Sequence, residues 1–328
     1  MTDSTETSSA TRTPPQTRTP DFFIVGHAKS GTTALYEMLR RHPQVFMPEL
    51  KETQFFAREL HPRAQPSHRH PETIEQYLSL FKDAKPEQRA GEASPSYIRS
   101  LSAAKRIREL RSDARIIVIL REPASFLRSL HLELLQDHVE TETDLGKAIA
   151  LSEVRRQAKE SSQAPVQQAL VYTEHVRYVE QLRRYHAEFP PEQVLVLIYD
   201  DFRSDNEGTV RRVLRFLDVD DSVAIEVMQA NPTVRVRSPR MYELVRSLYL
   251  GEGRLGKAAK AAIKALTPKR LRRKAHTTVR RRLLFGQPRE ADEELMLALR
   301  RRFKGEVQAL SEYLDRDLVT LWGYDRVV

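Results

Sequence analysis

A glycine-bounded loop near the N-terminus carries groups that bind phosphate. Residues 26–33 read G-H-A-K-S-G-T-T and lie between an apolar run and a helix-like pattern. Glycines allow a tight turn, and the free N–H groups at a helix N-terminus favour an anion. A lysine adds positive charge, and three hydroxyl side chains add hydrogen-bond donors. The predicted phosphate-binding residues are Lys29, Ser30, Gly31, Thr32 and Thr33.

The same loop differs from the nucleoside triphosphate motif at its key cation. In G-x-x-x-x-G-K-[ST] the lysine follows the second glycine directly and reaches the terminal phosphates. Here Gly26 and Gly31 have that spacing, but Thr32 occupies the lysine position and the lysine lies earlier, at Lys29. The pattern therefore disfavours ATP or GTP hydrolysis. A nucleotide kinase or NTPase-like phosphate-binding protein remains the alternative function.

A second candidate site follows the strongest strand pattern of the chain. Residues 116–120 read I-I-V-I-L, and Arg121-Glu122-Pro123 then turns the chain into a helix that contains Ser129. Ligands of open α/β sheets bind beyond the carboxyl ends of the strands, and a guanidinium binds phosphate in a bidentate manner. An arginine after a strand is by itself typical of a surface salt bridge. Together with the first loop, Arg121 and Ser129 predict a second phosphate contact.

A third candidate is the carboxylate in residues 51–56, which read K-E-T-Q-F-F. Glu52 follows a predicted strand, at the same sheet edge as the Lys29 loop if the sheet is parallel. A general base must lie within hydrogen-bond reach of the proton that it removes, and this placement suits that role. A Lys-Glu pair alone is more typical of a solvated face, so the residues leave both interpretations open.

Alternating strand and helix patterns surround these sites and predict an α/β fold with one doubly wound, parallel sheet. Unbroken apolar runs at 116–120 and 194–198 indicate strands in the sheet centre. The other predicted strands are 22–25, 45–47 and 89–92, and the predicted helices are 32–41, 73–81, 103–111, 123–135, 176–185, 209–217 and 292–314.

Composition excludes some classes of site. The 328 residues contain no cysteine, which excludes disulfides, thiolate metal sites and cysteine nucleophiles, and the net charge of +9 favours anionic partners. Residues 1–20 lack the apolar core of a secretory signal, and no apolar run approaches the roughly 20 residues that span a bilayer. The sequence therefore predicts a disordered leader over 1–20 and a cytoplasmic location.

Residues 254–282 are rich in Lys and Arg and contain no acidic residue. They are predicted to be a solvated helix with a loop that closes over a cofactor, or a docking surface for an anionic acceptor or a membrane. A non-catalytic nucleic-acid binder is a further alternative, suggested by charge alone. It is disfavoured because the basic residues are not interleaved with aromatics that stack on bases.

The three sites together resemble the PAPS-dependent sulfotransferase family, in which PAPS is 3′-phosphoadenosine-5′-phosphosulfate. The likeness is greatest to its heparan sulfate branch and its bacterial relatives. Residues 22–33 look like the family's 5′-phosphosulfate loop, and residues 116–129 look like its 3′-phosphate motif. Residues 51–56 are similar to the segment that supplies the glutamate base, and residues 91–97 and 314–322 are loosely similar to the corresponding segments of the family.

The resemblance implies one sulfotransferase domain over residues 21–328, with a three-layer, P-loop-NTPase-like α/β fold and no metal. It implies Glu52 as general base, Lys29 and its loop on the 5′-phosphosulfate, and Arg121 and Ser129 on the 3′-phosphate. The acceptor is expected to be a hydroxyl or amine on a small molecule, glycan or lipid. His131 ranks below Glu52 as the base, and His27 is either a contact to the phosphosulfate or a plain loop residue.

Overall fold

The computed structural model describes residues 18–60, 70–137, 139–161, 168–227, 235–236, 285–286 and 292–327. The predicted leader up to residue 17 and the basic segment 254–282 lie outside these ranges. Where the description begins, the Arg18 guanidinium donates to the carbonyl oxygen of Pro86 at 3.1 Å and pairs with Asp21 at 3.1 Å. Residue 18 is thus bonded to the domain.

Five parallel strands form the main sheet in the order β2-β3-β1-β4-β5. The order places β1 between β3 and β4, so the chain that leaves β1 emerges in the middle of one sheet edge. The strands are β1 (Phe22–Gly26), β2 (Val45–Phe46), β3 (Arg89–Ala93), β4 (Arg115–Leu120) and β5 (Val194–Ile198), and a separate antiparallel pair consists of β6 (Arg235–Val236) and β7 (Phe285–Gly286).

Helices connect the strands and cover both faces of the sheet. Within the described ranges, none of them is long and apolar enough to cross a bilayer. They are α1 (Thr32–Arg40), α2 (Ile74–Ser79), α3 (Ala103–Leu110), α4 (Pro123–Gln136), α5 (Leu145–Ala150), α6 (Ser152–Ser161), α7 (Tyr172–His175), α8 (Tyr178–His186), α9 (Tyr199–Ser204), α10 (Asn206–Phe216), α11 (Glu293–Tyr313) and α12 (Leu318–Leu321).

The side chains of β4 alternate between two hydrophobic cores. Ile116, Val118 and Leu120 pack with α3, α4, α8 and α11, whereas Ile117 and Ile119 pack with α1 and α10. All five are fully buried, as expected for a strand with helices on both faces. The three-layer α/β fold predicted from the sequence is therefore confirmed.

The central position predicted for residues 194–198 is wrong. In the described sheet β5 is the last strand and pairs only with β4. Four of its five residues are nevertheless buried, because helices cover both of its faces. An unbroken apolar run reports burial above and below a strand and carries no information about its lateral neighbours.

A buried carboxylate at the end of β3 holds the chain around the predicted base. Glu92 accepts hydrogen bonds from Thr53 Oγ1 at 2.9 Å, Ser94 Oγ at 2.5 Å, Tyr77 OH at 2.8 Å and Tyr97 OH at 3.1 Å. Burial raises the pKa of Glu92, and the four hydroxyl donors oppose that shift. The cluster ties the segment that follows Glu52 to β3 through Thr53.

Glu92→Gln is expected to remove one component of the pH dependence of stability. Because burial raises the pKa of Glu92 above its ordinary value of 4.5, the native state binds more protons than the unfolded state just above that pH. The free energy of unfolding of the wild-type protein should therefore fall as pH rises through this window, and that of the variant should fall less. Urea unfolding across a pH series measures the difference. The exposed control Glu109→Gln should keep the wild-type slope, and identical slopes for all three proteins would contradict the assignment.

Candidate active site

The predicted phosphate-binding loop leaves β1 and crosses the end of β4. The His27 N–H donates to the carbonyl oxygen of Ile119 at 2.9 Å. Lys29 and Gly31 have positive φ angles of 60° and 91°, and a Cβ at Gly31 would lie 2.9 Å from the Phe202 ring of α9. A glycine at position 31 is therefore required by the backbone conformation and by the close packing of α9.

The N-terminus of α1 provides anion-binding groups at this edge. The helix begins at Thr32, directly after Gly31, and its first turn contains no acidic residue. The first N–H groups of a helix have no intrahelical acceptor, and the helix dipole favours negative charge near them. Ser30 and Thr32 are buried and Thr33 is exposed. The positive end of α1 and the Lys29 side chain together suit a phosphate or sulfate group.

Arg121 joins the two predicted nucleotide motifs. Its Nη1 donates to the Lys29 carbonyl oxygen at 2.9 Å, and its guanidinium carbon lies 4.6 Å from the centre of the Tyr199 ring. Its own carbonyl oxygen accepts a hydrogen bond from Tyr178 OH at 2.9 Å. Residues that are far apart in the chain thus meet at the carboxyl ends of β1 and β4, as the sequence predicts for a parallel sheet.

Helix α4 carries Ser129 and, one turn later, Glu133, and the Glu133 carboxylate contacts the loop. Glu122 caps the helix by accepting from the N–H groups of Ala124 and Ser125. Ser129 is buried, and the Glu133 carboxylate lies 3.3 Å from Lys29 Nζ. Burial raises the pKa of Glu133, and Lys29 opposes that shift. Glu133 was not among the site residues predicted from the sequence, although it follows Ser129 by four residues and therefore lies on the same helix face.

Glu52 is fixed at the carboxyl end of β3. Its N–H donates to the Ala93 carbonyl oxygen at 2.9 Å, and its φ angle is 62°. Lys51 Nζ donates to Glu52 Oε1 at 2.7 Å and to Thr33 Oγ1 at 2.9 Å, which ties the carboxylate to α1. The Glu52 side chain is 47% exposed, and among the described residues only its Oε1 accepts a hydrogen bond. The negative charge of Glu52 also raises the pKa of Glu133, so the two carboxylates share one electrostatic environment.

The two aromatic residues that follow Glu52 in the sequence turn away into the core. Phe55 stacks on Tyr77 with ring centres 4.6 Å apart, and Phe56 packs edge to face on Tyr97 at 5.7 Å. Both phenylalanines are buried. Their contribution is to anchor the segment rather than to surround the carboxylate.

The His27 and His131 rings are buried and neutral near physiological pH, because burial lowers the pKa of His27 to about 3 and also lowers that of His131. The Gln181 Nε2 group donates to two backbone carbonyls, so its Oε1 accepts from His27 Nε2 at 2.7 Å. His131 Nε2 faces the Thr143 carbonyl oxygen at 3.3 Å, and its Nδ1 lies 2.8 Å from Tyr172 OH. Both ring nitrogens of His131 are therefore occupied inside the fold.

Comparison with known proteins identifies relatives of this chain. The profile described as the sulfotransferase family matches residues 20–222. Human heparan sulfate glucosamine 3-O-sulfotransferase 6 is 29% identical over 208 residues, which are 62% of this chain and 54% of that protein. Mouse heparan sulfate glucosamine 3-O-sulfotransferase 3B1 is 28% identical over 204 residues, which are 60% of this chain and 46% of that protein. The chain thus spans about half the length of the curated relatives that it matches.

A solved structure shows the same fold. The sulfotransferase from Alicyclobacillus acidocaldarius superposes with a TM-score of 0.64 at 23% identity, over 93% of this chain and 99% of that one. The family profile covers more than half of the chain and includes the Lys29 loop, Glu52 and the residues from Arg121 to Ser129. This chain therefore belongs to the sulfotransferase family.

Proposed function

We propose that the protein transfers a sulfuryl group from PAPS to a hydroxyl or amine acceptor. The observation that carries the proposal is the convergence of Lys29, Arg121 and Glu52 at one sheet edge around the N-terminus of α1. Two positively charged side chains and a helix N-terminus suit a ligand with two separated anionic groups. When bound, PAPS supplies an activated sulfuryl group and leaves as adenosine 3′,5′-bisphosphate.

The loop and α4 divide the nucleotide between them in this proposal. The N–H groups of α1 bind the 5′-phosphate, and Lys29 stabilises negative charge on the oxygen that links phosphate to sulfur. Lys29 Nζ pairs with Glu133 at 3.3 Å in the free protein, and the flexible lysine stem allows it to turn to the ligand. Arg121 and Ser129 bind the 3′-phosphate, which distinguishes PAPS from adenylyl sulfate.

Glu52 is the proposed general base. Its carboxylate accepts the acceptor proton while the acceptor oxygen or nitrogen forms its bond to sulfur, and the bond between sulfur and the phosphate oxygen breaks. Lys51 holds one carboxylate oxygen by a 2.7 Å hydrogen bond and thereby orients the group. The exposure of Glu52 is consistent with access by an acceptor from solution.

The acceptor is proposed as a class: a hydroxyl or amine on a small molecule, glycan or lipid. The names of the curated relatives specify a glucosamine of heparan sulfate, which makes glycans the first acceptors to test. A cytoplasmic location and contact with a membrane surface stay predictions. Kinase or NTPase chemistry remains disfavoured because Thr32, the first residue of α1, stands where the motif needs lysine.

The experiment that tests this function is mass spectrometry of acceptor panels incubated with PAPS. Transfer is expected to add one sulfuryl group to an acceptor and to release adenosine 3′,5′-bisphosphate in equal amount. The matched panel with ATP and magnesium should show no transfer. Phosphorylated products from ATP, with no sulfated product from PAPS, would replace the proposal by the kinase alternative.

Arg121→Ala is expected to weaken binding of adenosine 3′,5′-bisphosphate far more than binding of AMP, which lacks the 3′-phosphate. A hydrogen bond to a charged group is worth about 1.5–3 kcal/mol, or roughly 10- to 150-fold in affinity. Ser129→Ala should show the same preference with a smaller loss, because a neutral hydroxyl contributes about 1 kcal/mol. Calorimetric titration of both ligands measures the ratio. Equal losses for the two ligands would instead show that Arg121 acts only by holding the Lys29 carbonyl oxygen.

A further inference from the structure

A cavity beside the proposed transfer site has no role in the proposed function. It has a volume of about 170 Å³ and is lined by residues 59–60, by Arg99 and by side chains of α8 from Glu180 to Arg184. A water molecule occupies roughly 30 Å³ in the liquid, so there is room for about five waters or for one small organic group. Charged side chains line it together with apolar surface that includes Leu60 and Leu101.

Three arginines and three glutamates line this cavity, and four of these six side chains pair with one another. Arg177 pairs with Glu174 at 3.5 Å and with Glu180 at 2.5 Å, and Arg184 pairs with Glu180 at 2.8 Å. Glu59 accepts a hydrogen bond from the Ser100 hydroxyl and has no cation within 4.0 Å among the described residues. Arg99 has no ion-pair partner within 4.0 Å among the described residues. Its nearest polar contact is His175 Nε2, 3.3 Å from its Nη1.

The contact with His175 does not satisfy Arg99. Burial keeps the pKa of His175 well below its usual range, so the ring is neutral and carries one N–H. His175 Nε2 also lies 3.0 Å from the Ala169 carbonyl oxygen, which only accepts. If Nε2 carries the hydrogen, it satisfies Ala169 and presents no acceptor to Arg99. If it does not, Ala169 is left without a donor.

Burial accordingly lowers the pKa of Arg99 to about 10, and the negative charge of Glu174 only partly opposes the shift. A guanidinium has five N–H donors in a planar fork. Arg99 is partly buried, lines the cavity and has no carboxylate within 4.0 Å among the described residues. Its fork matches the geometry of a carboxylate or sulfate group.

We propose that this cavity is a binding site for a small oxyanion, held by the Arg99 fork. The anion is either a free inorganic ion or a carboxylate or sulfate group on a larger molecule. The site is distinct from the PAPS loop, although the two share a wall: Gln181 lines the cavity and bonds His27 at the start of the loop. The proposal does not depend on sulfuryl transfer.

Calorimetry tests the site with the PAPS loop first saturated by adenosine 3′,5′-bisphosphate, so that added anions cannot bind there. Sodium sulfate and sodium glucuronate are the two probes, with sodium chloride as the ionic-strength control. Saturable heat from at least one probe is expected for the wild-type protein, with an affinity loss of roughly tenfold or more in Arg99→Gln. Tighter binding of glucuronate identifies a carboxylate on a larger molecule as the ligand, and tighter binding of sulfate identifies a sulfate ion or sulfate group.

Thermal unfolding provides a second readout that separates specific binding from general salt effects. The binding anion should raise the wild-type Tm and leave that of Arg99→Gln at the value set by chloride, because a ligand stabilises only a state that binds it. Arg108→Gln, an exposed residue of α3, is the matched control and should keep the full shift. No saturable heat from either probe, or equal responses in wild type and Arg99→Gln, overturns the proposal and leaves a water-filled cavity.

Discussion

Lys29→Ala is expected to nearly abolish sulfuryl transfer and to leave the fold intact. Lys29 is the cation of the loop at the N-terminus of α1, and its backbone is held by Arg121 through the Lys29 carbonyl oxygen. Loss of one donor aimed at developing charge costs about 3 kcal/mol, or on the order of 10²-fold in kcat. Steady-state kinetics with PAPS and circular dichroism measure the two properties. The exposed residue Lys105 supplies the control, and Lys105→Ala should behave as wild type.

The contact between Lys29 and Glu133 allows a sharper version of this experiment. Removing the lysine leaves a partly buried carboxylate without its cation, so the single variant should also lose some stability. The double variant Lys29→Ala with Glu133→Gln should recover that stability while transfer stays absent. Recovery of turnover in the double variant would show that Lys29 serves only to neutralise Glu133. It would contradict the proposal that Lys29 stabilises charge on the leaving phosphate oxygen.

Glu52→Gln is expected to lower kcat by roughly 10²- to 10⁴-fold, the usual contribution of a general base, with little change in PAPS affinity. The amide keeps the shape of the side chain and an oxygen for Lys51, so the local structure should persist. Pre-steady-state and steady-state assays with a fixed acceptor measure the loss, and titration of adenosine 3′,5′-bisphosphate measures the affinity.

Two other side chains serve as controls for the base assignment. Glu133 lies 3.3 Å from Lys29 Nζ, and Glu133→Gln should retain most of kcat because the proposed mechanism gives its carboxylate no part in proton transfer. His131→Ala should affect stability more than kcat, since both of its ring nitrogens bond inside the fold. If Glu52→Gln turns over normally and either control variant does not, the base lies elsewhere.

Much of the fold follows from local pattern. The strands at 22–26 and 115–120 and the helix that opens at Thr32 lie within two residues of their predicted bounds, because an unbroken apolar run and a period-3.6 apolar pattern report directly on burial. No element was predicted between residues 140 and 171, where α5 and α6 form. Helix α6 reads S-E-V-R-R-Q-A-K-E-S, and such a polar segment has almost no apolar face to reveal it.

The family, the parallel α/β class and the loop chemistry could be inferred from sequence motifs, because each motif consists of residues close together in the chain. Contacts between distant residues became visible only in the folded protein. Glu133 faces Lys29 across 104 positions, and Arg99 meets His175 across 76. The turn of Phe55 and Phe56 into the core was likewise set by packing against Tyr77 and Tyr97. Pairing and burial of polar groups depend on which surfaces the fold brings together, and the local spacing of residues does not predict those contacts.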